Sequence, residues 1–233
     1  MDNSTQTISL KQANEDVRRK FISGVYGWMV LALAISGAAA FVTAHSTFML
    51  RLIFGNPIVF FALIIGEFAL VFWLSAGIRK MSSTTAFTAF IAYSVFNGIT
   101  LSAIFLQYTP NAVAKVFVVS ALMFGGMSLY GVKTKSDLRS AGRYLLMGLI
   151  GIIIASVLNL LLRSSSLDWI ISILAVVVFT GLTAYDTQKL MNISVYADGS
   201  DNFKKIAVIG ALELYLDFIN IFLSLLRLFG KRR

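Results

Sequence analysis

Five polar residues punctuate the last apolar stretch of the chain: Glu213, Asp217, Asn220, Ser224 and Arg227, spaced 4, 3, 4 and 3. On a helix that spacing lays all five along one stripe, with Leu, Phe, Ile and Tyr on the remaining surface. The stretch, ALELYLDFINIFLSLLRLFG at residues 211–230, has the length of a membrane span. An ionised group near the bilayer centre costs about 2.5–3.5 kcal/mol on insertion scales. A stripe carrying two carboxylates must therefore face a bundle interior, a watery cavity or a compensating charge, which makes this segment a central helix wrapped by the others. Two further acids lie inside apolar runs, Glu67 in IIGEFAL and Asp186 in GLTAYDTQKL. Carboxylates forced within a few ångströms of each other do not both ionise easily, so a pair such as Asp186 and Asp217 makes a natural proton-controlled switch.

These residue types assign roles. Asp217 is the candidate for proton sensing, with Asp186 as its partner if the two segments meet. Glu213 tunes the field one turn away, and Asn220 and Ser224 suit a polar zipper between helices. Glu67 divides evenly between a site residue and a structural one. Arg227 reaches for the far interface, its stem in the apolar layer and its head in water. Arg79 and Lys80 close the second apolar segment. Both read simply as interfacial anchors, and more sharply Arg79 as a latch that folds inward onto an aspartate.

The elements that must hold these groups follow from composition. Hydrophobic residues make up 58% of the 233 positions and charged residues 13%, half the share of an ordinary soluble domain, and the mean hydropathy is +0.80. Apolar runs at 21–43, 58–78, 85–106, 112–132, 144–162, 169–190 and 206–229 are each long enough to cross a hydrocarbon core of about 30 Å as a helix. They are continuous and not alternating, which argues against a β-barrel. The chain reads as an all-α integral membrane protein, a polar cytoplasmic tail at 1–20 followed by one transmembrane domain at 21–230. Repeats of small residues support a bundle: Ala32, Ser36, Ala40 and Ala44 in the first segment, Gly151 and Ala155 in the fifth.

Basic residues orient the spans. With the N-terminus inside, cytoplasmic segments hold Lys11, Arg18, Arg19, Lys20, Arg79, Lys80, Lys133, Lys135, Arg139, Arg143, Lys189, Lys204 and Lys205, against Arg51, Lys115 and Arg163 outside. Seven full crossings then place Lys231, Arg232 and Arg233 outside, against the rule, so the last segment either crosses or re-enters. The first twenty residues lack the apolar core of a cleavable signal.

Several function classes drop out. The net charge of +9 sits at segment ends and forms no basic and aromatic stripe of the nucleic-acid-binding kind. With no cysteine and one histidine, His45, thiol chemistry and histidine-rich metal sites are excluded; His45 itself falls in an interfacial loop. Tyr185–Asp186 matches the first motif of intramembrane aspartyl proteases, but Asp217 lies in LYLDFIN without the G-x-G-D turn such enzymes use. No enzymatic activity and no cofactor are expected.

GLTAYDTQKL at 181–190, GALELYLDFINIFLSLLRLFG at 210–230 and FGGMSLYGVKTKSDL at 124–138 resemble the Bax inhibitor-1 family, also called the transmembrane BAX inhibitor motif family, and are most similar to its bacterial members. The resemblance covers the chain beyond its N-terminal tail. It implies seven helices with the last at the centre, and a pH-sensitive calcium leak in which two aspartates, here Asp186 and Asp217, share a proton and contact the passing ion. It implies an arginine latch, for which Arg79 is the match across a small gap in WLSAGIRKMSS, and Glu67 matches a membrane glutamate of bacterial relatives. The supporting polar lining is then Glu67, Glu213 and Asn220, and the location a bacterial inner membrane with the N-terminus cytoplasmic. A proton-coupled calcium antiporter is the alternative that the same carboxylate pair would serve. Another is a regulatory membrane protein that binds a protease or secretion complex through its tail.

Overall fold

The computed structural model describes the backbone from residue 3 and side chains from residue 15 to residue 233. The helices are α1 (Asn3–Ala44), α2 (Thr47–Phe54), α3 (Pro57–Gly77), α4 (Ser83–Gln107), α5 (Pro110–Lys133), α6 (Arg139–Leu162), α7 (Ser165–Ser194) and α8 (Asp201–Phe229), with a 3-10 turn at Ile78–Lys80 after α3. Seven of them are long and apolar enough to span a bilayer, all but α2. The protein is an all-α, multi-pass membrane protein, as its composition requires.

Boundaries follow local chemistry. The chain's two prolines, Pro57 and Pro110, sit in the first turns of α3 and α5 behind capping side chains of Asn56 and Thr109, where a missing N–H costs nothing. At the α6–α7 junction Arg163 adopts the left-handed conformation and donates its N–H to the Asn159 carbonyl, while the Asn159 side chain accepts from Ser164.

Three features add to the expected elements. The polar stretch read as a tail continues α1, which runs back to Asn3; it contains no Gly or Pro to stop a helix, and the side chains of residues 1–14 lie outside the described residues. The short helix α2, capped by Ser46, was not expected at all. The last segment is one uninterrupted helix of 29 residues, about 43 Å long, so the re-entrant alternative falls. Polar first and last turns also lengthen α6, α7 and α8 beyond their apolar runs.

The chain divides into two compact units, Met1–Ala103 with Leu190–Leu212, and Ile104–Lys189 with Glu213–Arg233. In the first, α1 and α4 approach closely. A Cβ on Gly98 would run into the Ser36 carbonyl and Ala39, and the Ser36 hydroxyl donates to the Ser94 carbonyl at 2.7 Å. Ala32, Ser36 and Ala40 are buried, as their four-residue repeat predicts.

In the second unit α7 is clamped by two neighbours. A Cβ on Gly131 of α5 would meet the Ala184 carbonyl and Thr187, and one on Gly142 of α6 would meet the Tyr185 ring. The small pair expected at Gly151 and Ala155 does not pack: Gly151 is exposed with open space around it. The approach on α6 falls instead at Gly142 and at Gly148, beside Val178. Phe218 of α8 stacks edge-to-face on Phe117 and Phe124 of α5, at 5.3 and 5.8 Å between centroids. Beyond α8 the chain is pinned to the α4–α5 connection, with Thr109 N–H donating to the Lys231 carbonyl at 3.1 Å and Arg233 N–H to the Gln107 carbonyl at 3.0 Å.

Of the seven spans, α8 is by far the most enclosed. Its apolar window is 67% buried, against 39% at most in the others and 6% in α3 and α6. The interior position inferred for the last helix from its polar stripe is therefore the observed one.

Candidate ion and proton site

The site is built from Asp186 and Lys189 of α7 and Glu213 and Asp217 of α8, all in the second unit. Asp186 on α7 is 9% exposed and Asp217 on α8 is 4% exposed. Between them in chemistry stands Lys189, one turn beyond Asp186. Its ammonium donates to both carboxylate oxygens of Glu213, at 2.8 and 2.9 Å, and lies 3.8 Å from Asp186 Oδ1. At that separation the attraction between Lys189 and Asp186 is about 4 kcal/mol before desolvation, for an effective dielectric near 20. The charges of Asp186, Glu213 and Lys189 all reach Asp217.

Asp217 differs from its neighbours in one respect. Its Oδ2 is fully buried and has no hydrogen-bond partner. A buried polar atom is normally paired, and leaving one orphaned costs about 1–3 kcal/mol. Thr180 Oγ1, on α7, is the only other such atom among the described residues.

The YDTQK segment holds Asp186 through its neighbours. The Tyr185 ring packs on Gly142, and Thr187 bonds Ser128 of α5 at 3.0 Å. Gln188 clasps the α5–α6 connection from both ends of its amide, accepting from Leu138 N–H at 2.9 Å and donating to the Ser136 carbonyl at 2.8 Å. Anchors at Tyr185, Thr187 and Gln188, on both sides of Asp186, leave its backbone little freedom.

The polar stripe of α8 divides by depth. Asp217 and Ser224 point inward and are buried, whereas Glu213, Asn220 and Arg227 occupy its more accessible edge. Asn220 donates its amide to the Leu216 carbonyl of its own helix at 2.8 Å. Arg227 lies near the C-terminal end of α8, 3.6 Å from Asp168 at the start of α7, the position expected of a residue reaching for the far interface.

Glu67 is placed elsewhere, in the first unit. On α3 it accepts from Asn97 Nδ2 of α4 at 3.2 Å and from the Thr100 hydroxyl. Arg79 lies in the 3-10 turn after α3 and is exposed, with no ion pair among the described residues. His45 follows α1, its Nδ1 at 2.8 Å from the Phe41 carbonyl and its ring against that of Phe41, a local arrangement that fits an interfacial position.

Lys189 is the residue that sequence reasoning passed over, having counted it only toward topology. The available signal was its i, i+3 spacing from Asp186, which puts two opposite charges on one helix face. Among the described residues no group of three or more His, Cys, Asp or Glu side chains is arranged to hold a metal ion.

A family model described as inhibitor of apoptosis-promoting Bax1 matches residues 18–233. The chain is 46% identical over 235 residues to the inner membrane protein YbhL of Escherichia coli K12, covering all of both chains. It is 44% identical over 229 residues to an uncharacterized protein of Borreliella burgdorferi, covering 97% of this chain and 99% of that one. Uncharacterized protein RP147 of Rickettsia prowazekii is 41% identical over 233 residues, with 98% and 96% covered.

Proposed function

The chain belongs to the Bax inhibitor-1 family, and we propose that it is a pH-sensitive calcium leak channel of a bacterial inner membrane, gated by Asp186 and Asp217. The observation that carries this reading is the orphaned Oδ2 of Asp217, a buried acceptor on the most enclosed helix with nothing to accept from. A proton or a passing cation is what such an atom lacks. Calcium is a hard cation that prefers oxygen ligands, and a pair of carboxylates is a weak site. Weakness suits conduction, because an ion that enters must also leave.

In this reading Asp186 and Asp217 share a proton when the passage is at rest, and its loss exposes anionic oxygens to calcium. Lys189 holds the field on the Glu213 side, satisfying two carboxylates with one ammonium. Calcium is cargo here; no bond-making step and no resident cofactor is involved. The excess of basic residues in alternate connections sets the N-terminus in the cytoplasm, and seven crossings then leave the C-terminus on the other face. A latch role for Arg79 belongs to the same proposal.

Calcium entry into proteoliposomes across pH 5 to 8, for wild type and Asp217→Asn, tests it. A pH-dependent flux in wild type that the substitution abolishes or fixes at one level is expected. Flux with coupled proton countermovement would make the protein an antiporter, and absence of flux from folded protein at every pH would sink the proposal.

A further inference from the structure

In the first unit, away from the aspartates, α1, α4 and the start of α8 enclose a cleft of about 600 Å³. Two aromatic pairs stand in its walls. Phe21 meets Phe203 edge-on at 6.1 Å, and Trp28 lies against Phe87 at 4.4 Å. Along α1 the cleft runs from Val17 to Trp28, about 16 Å of helix rise. The mouth is of opposite character, with Lys20 from α1 and Lys204 from α8 on its lining, both exposed. The acid beside that rim, Asp201, is engaged by Ser83 at the start of α4. Arg18, two residues before Lys20, donates to Ser194 Oγ at 3.0 Å. Asp201 also acts on Lys204, and Asp198 lies between the lining residues Ala197 and Gly199, so the flank is mixed in sign; of the residues that line the cleft itself, Lys20 and Lys204 are the only charged ones.

We propose that this cleft is a binding site for an anionic phospholipid, one acyl chain lying between the two aromatic pairs and the phosphate headgroup between Lys20 and Lys204. The charge pattern selects the occupant. Apolar walls suit any acyl chain, but a cationic mouth at the level where α1 passes from charged to apolar sequence suits a negative headgroup at the bilayer surface. A zwitterionic lipid offers the same phosphate but carries its own cationic group, which the two lysines repel, so its net gain is smaller. Long lysine stems can also lie along the apolar wall while the ammonium groups stay at headgroup depth. The site is independent of the calcium reading.

Trp28 supplies the probe. With Trp73 and Trp169 replaced by phenylalanine, Trp28 is the sole tryptophan, and bromine on a neighbouring acyl chain quenches it on contact. The full chain in micelles is titrated with brominated phosphatidylglycerol or brominated phosphatidylcholine. The anionic lipid should quench at a lower mole fraction, with a preference of about fivefold per lysine. Lys20→Gln with Lys204→Gln should remove that preference, and Lys20→Arg with Lys204→Arg should retain it. Equal quenching by the two lipids in wild type would reduce the cleft to ordinary lipid contact and overturn the proposal, as would a preference that survives the glutamine substitutions. Weak quenching by both that rises when residues 1–14 are deleted would place the chain's own N-terminal segment in the cleft, with the same consequence.

Discussion

Replacing Lys189 by methionine leaves an unbranched side chain one atom shorter and removes its charge, which isolates most of what the ammonium contributes. Three contacts disappear at once, two to Glu213 at 2.8 and 2.9 Å and one to Asp186 at 3.8 Å. The magnitude is set by burial. Breaking a fully buried ion pair costs about 3–5 kcal/mol, and an exposed one is worth about 0–1 kcal/mol. Here the Lys189 side chain is 38% exposed and that of Glu213 is 32%, while Asp186 is nearly enclosed at 12%. The loss should fall between the limits, near 2 kcal/mol, with part of it arising from Asp186 left without a counter-charge. Reversible unfolding in mixed micelles, followed by loss of helix signal, measures it. A double-mutant cycle with Glu213→Gln then isolates the pair, and a coupling of about 1 kcal/mol is expected for groups in direct contact. Additivity within about 0.3 kcal/mol, the behaviour of independent sites, would refute the argument that Lys189 holds α7 and α8 together through charge.

Two other predictions concern packing and the α7–α8 connection. Gly131→Ala should destabilise the protein by about 1–3 kcal/mol, because the new methyl meets the Ala184 carbonyl, which cannot move alone; Gly151→Ala, in open space on an exposed helix face, should be neutral or stabilising by up to about 1 kcal/mol. Thermal unfolding of the pair in the same micelle checks both. In the loop before α8, the Ser200 hydroxyl and then its N–H hold the Asp198 carboxyl below the ordinary carboxylate range. A depressed value means that the contact is present above the usual carboxylate pKa of about 4 and is lost as pH falls through the lower folded value, so the Ser200 amide resonance should shift only in acid, and by less in Asp198→Asn, where the neighbouring Asp201 alone titrates.

Sequence carried the spans and the angular position of each polar group on its own helix, since both depend on spacing alone. The interior placement of α8 followed from the cost of its charges, and the α1 contact face from the repeat of Ala32, Ser36 and Ala40. Partners could not be read in the same way. That Gln188 clasps the α5–α6 connection, that Gly148 and not Gly151 marks the approach of α6 to α7, and that Lys189 serves Glu213 all depend on how one helix turns toward another. The helix α2 escaped because eight residues are too few to show as a span, and the stretch reads as a connection.

The way α8 tolerates its charges in the apolar layer explains why Asp217 stands apart. Every other polar group of the stripe is satisfied by a different means: Glu213 by the ammonium of Lys189, Asn220 by a carbonyl of its own helix, Arg227 by Asp168 and by Ser224 at 3.4 Å. Glu213, Asn220 and Arg227 also lie on the accessible edge, where water can complete what protein does not. Asp217 has neither recourse, being 4% exposed with one oxygen unpartnered. A helix selected only for packing would place leucine there at no electrostatic cost. The expense is confined to Asp217, and under the proposed function a shared proton or a passing cation would offset it.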